Sequence, residues 1–201
     1  MSTEPSPPAA EGPAAPLALT VVLAHLDVSD SEDALRSLAG RLLDAGAVTP
    51  GFPKALRLRE QTYPTGLPTP IPTAIPHADP QHVLVPGLAV ATLARPVTFG
   101  EMGTRDSTVD VRLVAMPLLT DAREHLAALQ QLMGLLSDES AVQDLLDAPD
   151  EETLRRRFEE HLASILPPAD GPAVGPAVDP TDRPTDAPSS GPQAGAQGAG
   201  A

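Results

Sequence analysis

The segment VRLVAMPLLTDAREHLAALQQLMGLL, residues 111–136, contains the change of period that decides the fold class. Val111–Leu119 alternates at first and then becomes continuously apolar, the pattern of a strand covered on both faces. At Thr120 or Asp121 a helix opens, and Leu126, Leu129, Leu132, Met133 and Leu136 mark its buried face. A covered strand feeding an amphipathic helix is the building unit of layered α/β structure.

The same units recur outward from this segment. Leu17–Leu26 reads as a first strand, and Leu88–Ala94 as another, with Val97–Phe99 a short continuation. After the first strand, Ser29 and Glu32 have capping-box spacing. Leu35, Leu38, Ala39, Leu42 and Leu43 then follow at helical intervals, and Gly46 is placed to stop the helix. A short helix is expected from about Pro53 to Glu60. The stretch from Thr62 to Pro76 holds too many prolines for a helix interior and reads as a loop leading to a short strand near Ile71–Ile75. Two more helices are expected near Glu139–Asp147 and Asp150–Leu166. The sum is an α/β fold, a single layered domain over residues 17–166 with a mixed β-sheet flanked by helices. Residues 1–16 and 167–201 are rich in Pro, Ala and Gly, bury too little apolar surface to offset their ordering entropy, and read as disordered tails.

Composition narrows the function. Hydrophobic residues make up 41% of the chain, yet it has three Phe, one Tyr and no Trp, which argues against a stacking platform for bases or sugars. The formal net charge of −14 is the wrong sign for nucleic acid and favours a basic protein partner. With no cysteine, disulfides and thiolate metal sites are excluded. No apolar run reaches the roughly 18 residues of a membrane span, and the N-terminus carries no signal-like segment, so a cytoplasmic location is expected.

No nucleophile elbow, phosphate-binding glycine loop or zinc-protease motif is present. The chemistry-bearing residues that remain are five histidines. His77 stands out because Pro76 stiffens the backbone before it and biases Ile75 toward extended geometry, so a strand would end there and present the imidazole at the end of the sheet. An ordinary loop histidine fits the spacing as well. His125 falls in the first turn of the late helix, where amides favour an anion, or equally on the rim of the core. Arg59 can clamp phosphate oxygens through paired donors, or simply complement its helix dipole. Thr62, Thr65 and Gly66 suit either an anion pocket or a plain turn. His25 reads as a strand-end residue, His161 as helix surface, and His82 is open. The pairing of His77 and His82 with Asp79 is a weak match to metal-ligand spacing.

Taken together, Arg59-Glu60, Tyr63-Pro64-Thr65-Gly66-Leu67 and Ala74-Ile75-Pro76-His77-Ala78-Asp79 resemble the signature of the fructose/mannitol-type enzyme IIA domain of bacterial sugar phosphotransferase systems. The Pro-Thr-Gly-Leu and Ile-Pro-His-Ala-Asp segments look closest to its galactitol-like branch. Further on, Ala94-Arg95-Pro96-Val97-Thr98-Phe99-Gly100-Glu101-Met102-Gly103 and Glu124-His125-Leu126 resemble later family segments in the same order, so that the resemblance spans about residues 17–165.

This resemblance implies a phosphoryl carrier. HPr, a phosphorylated histidine carrier, would donate to His77; a IIB component would receive the group; the membrane IIC component would take part only indirectly. His125 would hydrogen-bond the phosphoryl group, and Arg59, with Thr65 and Gly66 nearby, would help bind it. No metal or other cofactor is implied. Transfer between two histidines is nearly isoenergetic, so positioning and charge neutralisation suffice, and an imidazole near pH 7 is largely in its neutral, nucleophilic form. The proline-rich run Pro68-Thr69-Pro70-Ile71-Pro72 departs from the family pattern and implies a different pocket wall. The absence of an attached IIB or IIC segment points to a separate subunit or a regulatory role. Two alternatives stand beside transport: a regulatory IIA-type protein controlling a partner through its phosphorylation state, and a non-catalytic binding module. Transporter subunits encoded nearby would favour the first reading; the joint presence of His77, His125 and Arg59 argues against the last. The sugar is not legible, because the membrane component recognises it.

Overall fold

A computed structural model describes the backbone of residues 18–120 and 122–165; the side chains of residues 122–128 lie outside the described part. Both expected tails, and Asp121, therefore fall outside the described residues. The elements run β1 (Leu19–Leu26), α1 (Ser31–Asp44), α2 (Phe52–Thr62), β2 (Gly66–Leu67), β3 (Thr73–Ala74), a short 3-10 turn (Pro80–His82), β4 (Gly87–Gly100), β5 (Thr108–Leu118), α3 (Ala122–Ser137), α4 (Glu139–Leu146) and α5 (Glu151–Ile165).

The five strands form one mixed sheet in the order β1-β4-β5-β3-β2. β1 pairs in parallel with β4, β4 pairs antiparallel with β5, β3 pairs in parallel with β5, and β2 pairs antiparallel with β3. Each face is covered. Leu35, Leu38, Leu42, Phe52 and Leu56 from α1 and α2 pack on Ala89, Ala91, Val114 and Met116. On the other face, Leu132, Leu135, Leu145, Leu154 and Phe158 from α3, α4 and α5 pack on Leu88, Val90, Leu113 and Ala115. Adjacent residues of β4 and β5 thus feed opposite cores, which is why these strands read as continuously apolar rather than alternating.

The expected α/β class and the expected helices are present, with local differences. The helix cap is Asp30 rather than Ser29: its Oδ1 accepts the Asp33 N–H at 2.8 Å. The Ser29 N–H instead donates to the Asp33 carboxylate at 3.3 Å. A carboxylate one residue further on takes the capping position because it also complements the helix dipole. Gly46 ends α1 in the left-handed region at φ +65°, which glycine enters without a side-chain penalty. The runs Leu88–Ala94 and Val97–Phe99 are one strand, β4, with a register shift between Thr92 and Val97 where Arg95-Pro96 interrupts the pairing. β2, in the proline-rich loop, was not legible, since two residues carry no period. On α3, Leu132 and Leu136 are buried as the spacing implies, but Leu135 is buried in place of the half-buried Met133. Among the described residues no helix is long and apolar enough to cross a membrane.

Phe158 is fully buried and joins α5 to the second core. Phe158→Ala is expected to cost about 3–5 kcal/mol, read as a lower urea midpoint at unchanged slope.

Candidate functional site

β3 is only two residues long, yet its parallel pairing with β5 fixes where the following loop starts, with Thr73 opposite Leu113 and Ala74 opposite Val114. Three residues later comes His77, half-buried, between the buried Pro76 and Ala78. Its Nδ1 lies 2.9 Å from the Ile75 carbonyl. A carbonyl only accepts, so the ring proton resides on Nδ1 and Nε2 presents a lone pair. The Arg59 guanidinium donates to that lone pair, with Nη2 2.9 Å from Nε2.

Arg59 arrives from the last turn of α2. Its Nη1 faces the Asp79 carboxylate at 3.6 Å, and its guanidinium carbon lies 5.9 Å from the centre of the Tyr63 ring, within cation–π range. Its Nε is buried and has no hydrogen-bond partner among the described residues. The cation is thus held by a neutral nitrogen, a carboxylate at ion-pair distance and a ring face, and one of its donors is unused. An arginine so arranged gains from an incoming anion.

Glu60, the next residue, does something different. Its carboxylate accepts both the Thr65 N–H at 3.0 Å and the Thr65 hydroxyl at 2.7 Å. The Thr65 carbonyl in turn accepts the Ile75 N–H at 3.2 Å, and the Ile75 carbonyl accepts from His77. A chain of hydrogen bonds therefore runs from α2 through the loop to the imidazole. Burial raises the Glu60 carboxyl above its ordinary value of 4.5, opposed by the two Thr65 hydrogen bonds and the Arg59 charge.

The expected site residues are distributed as follows. Arg59 and His77 are in contact. The Thr65 hydroxyl is committed to Glu60, and Gly66 is buried against the β4–β5 hairpin, its carbonyl accepting the Met102 N–H at 2.8 Å. A Cβ at Gly66 would stand 2.6 Å from the Gly100 carbonyl oxygen and 2.6 Å from Val109. Both residues thus shape the wall behind His77. The backbone of His125 lies in α3, while its side chain is outside the described residues. α3 begins four residues after β5 ends, and β5 runs parallel to β3, so the start of α3 and the loop carrying His77 leave the sheet at the same end.

The other histidines have local partners. His25, the penultimate residue of β1, has φ +52°, with its N–H on the Thr92 hydroxyl at 2.9 Å and its Nε2 2.8 Å from the Ala148 carbonyl. Strand register puts it toward the opposite end of the sheet from His77. His82 pairs through Nδ1 with the Thr49 hydroxyl at 3.1 Å and so pins the α1–α2 loop. The His161 ring faces Asp144 at 3.1 Å, joining α5 to α4. Glu60, Tyr63 and Asp79 stand in the family-like string, and Asp79 also in the weak metal-ligand spacing, but none of the three is legible in the sequence as a partner of Arg59 or of the loop. Glu60 and Asp79 flank Arg59 and His77 closely in sequence, but nothing in their spacing reveals that one reaches forward to Thr65 and the other across to Arg59.

Residues 17–161 match the family model described as "Phosphoenolpyruvate-dependent sugar phosphotransferase system, EIIA 2". A multiphosphoryl transfer protein of Escherichia coli O157:H7 is 35% identical over 127 residues, which cover 63% of this chain and 32% of that protein. The chain thus spans about a third of the length of the curated relatives it matches. Among solved structures, the complex of enzyme IIAMtl with phosphorylated enzyme IIBMtl from Escherichia coli aligns at 25% identity and TM-score 0.59, covering 74% of this chain and 97% of that one. The nitrogen regulatory protein IIA-Ntr from Neisseria meningitidis shares the fold at 23% identity and TM-score 0.54, covering 69% and 93%.

Two measurements check the wall behind His77. Gly66→Ala should lower stability by about 1–3 kcal/mol, since the backbone it would strike has no rotamer to change; chemical denaturation reads this directly. Because the folded state holds the Glu60 proton more tightly than the unfolded state, folding stability from this group falls as pH rises through the raised value. The stability difference between Glu60→Gln and the parent should therefore move in favour of the Gln variant as pH rises from below 4.5, measured by parallel denaturation series.

Proposed function

The chain belongs to the family of EIIA 2 domains of the phosphoenolpyruvate-dependent sugar phosphotransferase system, and from that premise we propose that it carries a phosphoryl group on Nε2 of His77, accepting it from an HPr-like phosphocarrier and handing it to a IIB component. The observation that carries this reading is the paired geometry of the ring: Nδ1–H donated to the Ile75 carbonyl and Nε2 facing the Arg59 guanidinium.

The step balances simply. The Nε2 lone pair attacks phosphorus in line as the bond from phosphorus to the donor nitrogen breaks, and that electron pair leaves with the donor ring. The Nδ1 proton stays where it is, and the Ile75 carbonyl stabilises the positive charge the ring acquires. Arg59 yields the lone pair and turns its donors to the equatorial oxygens, where its unpartnered Nε gains as well. His125, carried at the start of α3 beside the same end of the sheet, supplies a further donor. Transfer onward is the reverse step with the IIB nucleophile as acceptor. Support for a IIB partner comes from the aligned IIA–IIB complex. Support for an HPr-like donor comes from the multiphosphoryl transfer relatives and from the net charge of −14, which suits a basic partner. The reading places the protein in the cytoplasm, in uptake of a sugar or polyol, and its Pro-Thr-Gly-Leu and Ile-Pro-His-Ala-Asp segments favour the galactitol-like branch.

Incubation with phosphoenolpyruvate, enzyme I and HPr should add one phosphoryl mass, labile in acid, to the parent and none to His77→Ala. Arg59→Ala should still be labelled, but about a hundredfold or more slowly. A folded parent that stays unlabelled while a known IIA is labelled in parallel would contradict the carrier reading.

A further inference from the structure

The ion pair between Arg59 and Asp79 has no evident structural task. Asp79 lies two residues beyond His77, and its side chain is 63% exposed, against 34% for Arg59. An exposed pair of this kind contributes little to stability. Its backbone is nonetheless well fixed. Asp79 is extended, at φ −63° and ψ 147°, and precedes Pro80, which disfavours helical geometry at that position. Its carbonyl accepts the His82 N–H at 3.0 Å. Although Asp79 precedes a 3-10 turn, its side chain makes no capping hydrogen bond there. The carboxylate is thus held beside the guanidinium and is not consumed by the turn.

Resting on the carrier reading above, we propose that Asp79 is a positioning residue that shares Arg59 with the reacting nitrogen, so that it holds the guanidinium against His77 before transfer and competes for it afterwards. The consequence is a change in transfer potential. In the unphosphorylated protein Arg59 bridges Nε2 at 2.9 Å and Asp79 at 3.6 Å. Once Nε2 carries phosphorus, the same cation must serve the phosphoryl oxygens, and a fixed carboxylate beside it draws off part of its field. The phosphoryl group is then held less tightly than Arg59 alone would hold it. For a carrier this is useful, because a group bound too well is not passed on. No atom of Asp79 takes part in bond making: the proton remains on Nδ1 and the phosphoryl group moves from one nitrogen to another.

The test compares the parent with Asp79→Asn. Both are loaded with phosphoramidate, a small phosphoryl donor that needs no docking surface, and then equilibrated with an HPr-type carrier. The Asn variant should hold the group more tightly, with the equilibrium constant shifted roughly three- to tenfold toward this chain and an unchanged melting temperature. In an Arg59→Ala background the same substitution should shift the constant much less. Equal constants for the parent and Asp79→Asn would overturn the proposal. A full shift that persists without Arg59 would overturn the positioning role and assign direct repulsion to the carboxylate. A parent that phosphoramidate cannot label would remove the carrier reading, and this inference with it; labelled proteins with equal constants would remove this inference alone.

Discussion

The hydrogen bond from His77 Nδ1–H to the carbonyl two residues before it, 2.9 Å long, sets which face of the imidazole is available. A free imidazole exchanges its proton between two nitrogens and offers either lone pair. Here the backbone makes the choice, and the surrounding structure keeps that backbone in place. Pro76 limits the torsions between donor and acceptor, the Ile75 N–H is tied to Thr65, and Thr65 is tied to Glu60 on α2. The burial of Glu60, which raises its proton affinity, is the cost of anchoring the loop from inside.

The fold supplies the other half of the arrangement. β3 has two residues and no strength of its own, but it is zipped beside β5, and β5 is buried on both faces. The site loop thus inherits the rigidity of the central sheet. Arg59 comes from a different layer, at the end of a helix packed on the opposite face of the sheet from α3–α5, and meets the histidine at the end of the sheet.

Much of this was legible in the residues. The strand-to-helix change near residue 120 and the apolar runs fixed the α/β class, because burial on both faces leaves a strong signal. His77 and Arg59 were visible through Pro76 and through the family-like string around them. Other features left no such trace. Two-residue strands have no period to detect, so β2 could not be found. The spacing points to Ser29 while Asp30 caps the helix, because both residue types cap helices and their positions differ by one. The partners of Glu60, Tyr63 and Asp79 depend on which way a helix end faces a loop, and that is decided by packing at long range rather than by neighbours in the sequence.

Nitrogen NMR of ring-labelled protein distinguishes the two ring nitrogens of His77, and so reads whether Nε2 takes the phosphoryl group while Nδ1 keeps its proton. Before phosphorylation, the His77 ring should show Nδ1 bearing hydrogen and Nε2 unprotonated. After it, the phosphorus coupling should fall on Nε2, with Nδ1 still bonded to hydrogen. Phosphorus on Nδ1, or an unphosphorylated ring that carries its proton on Nε2, would rule this assignment out.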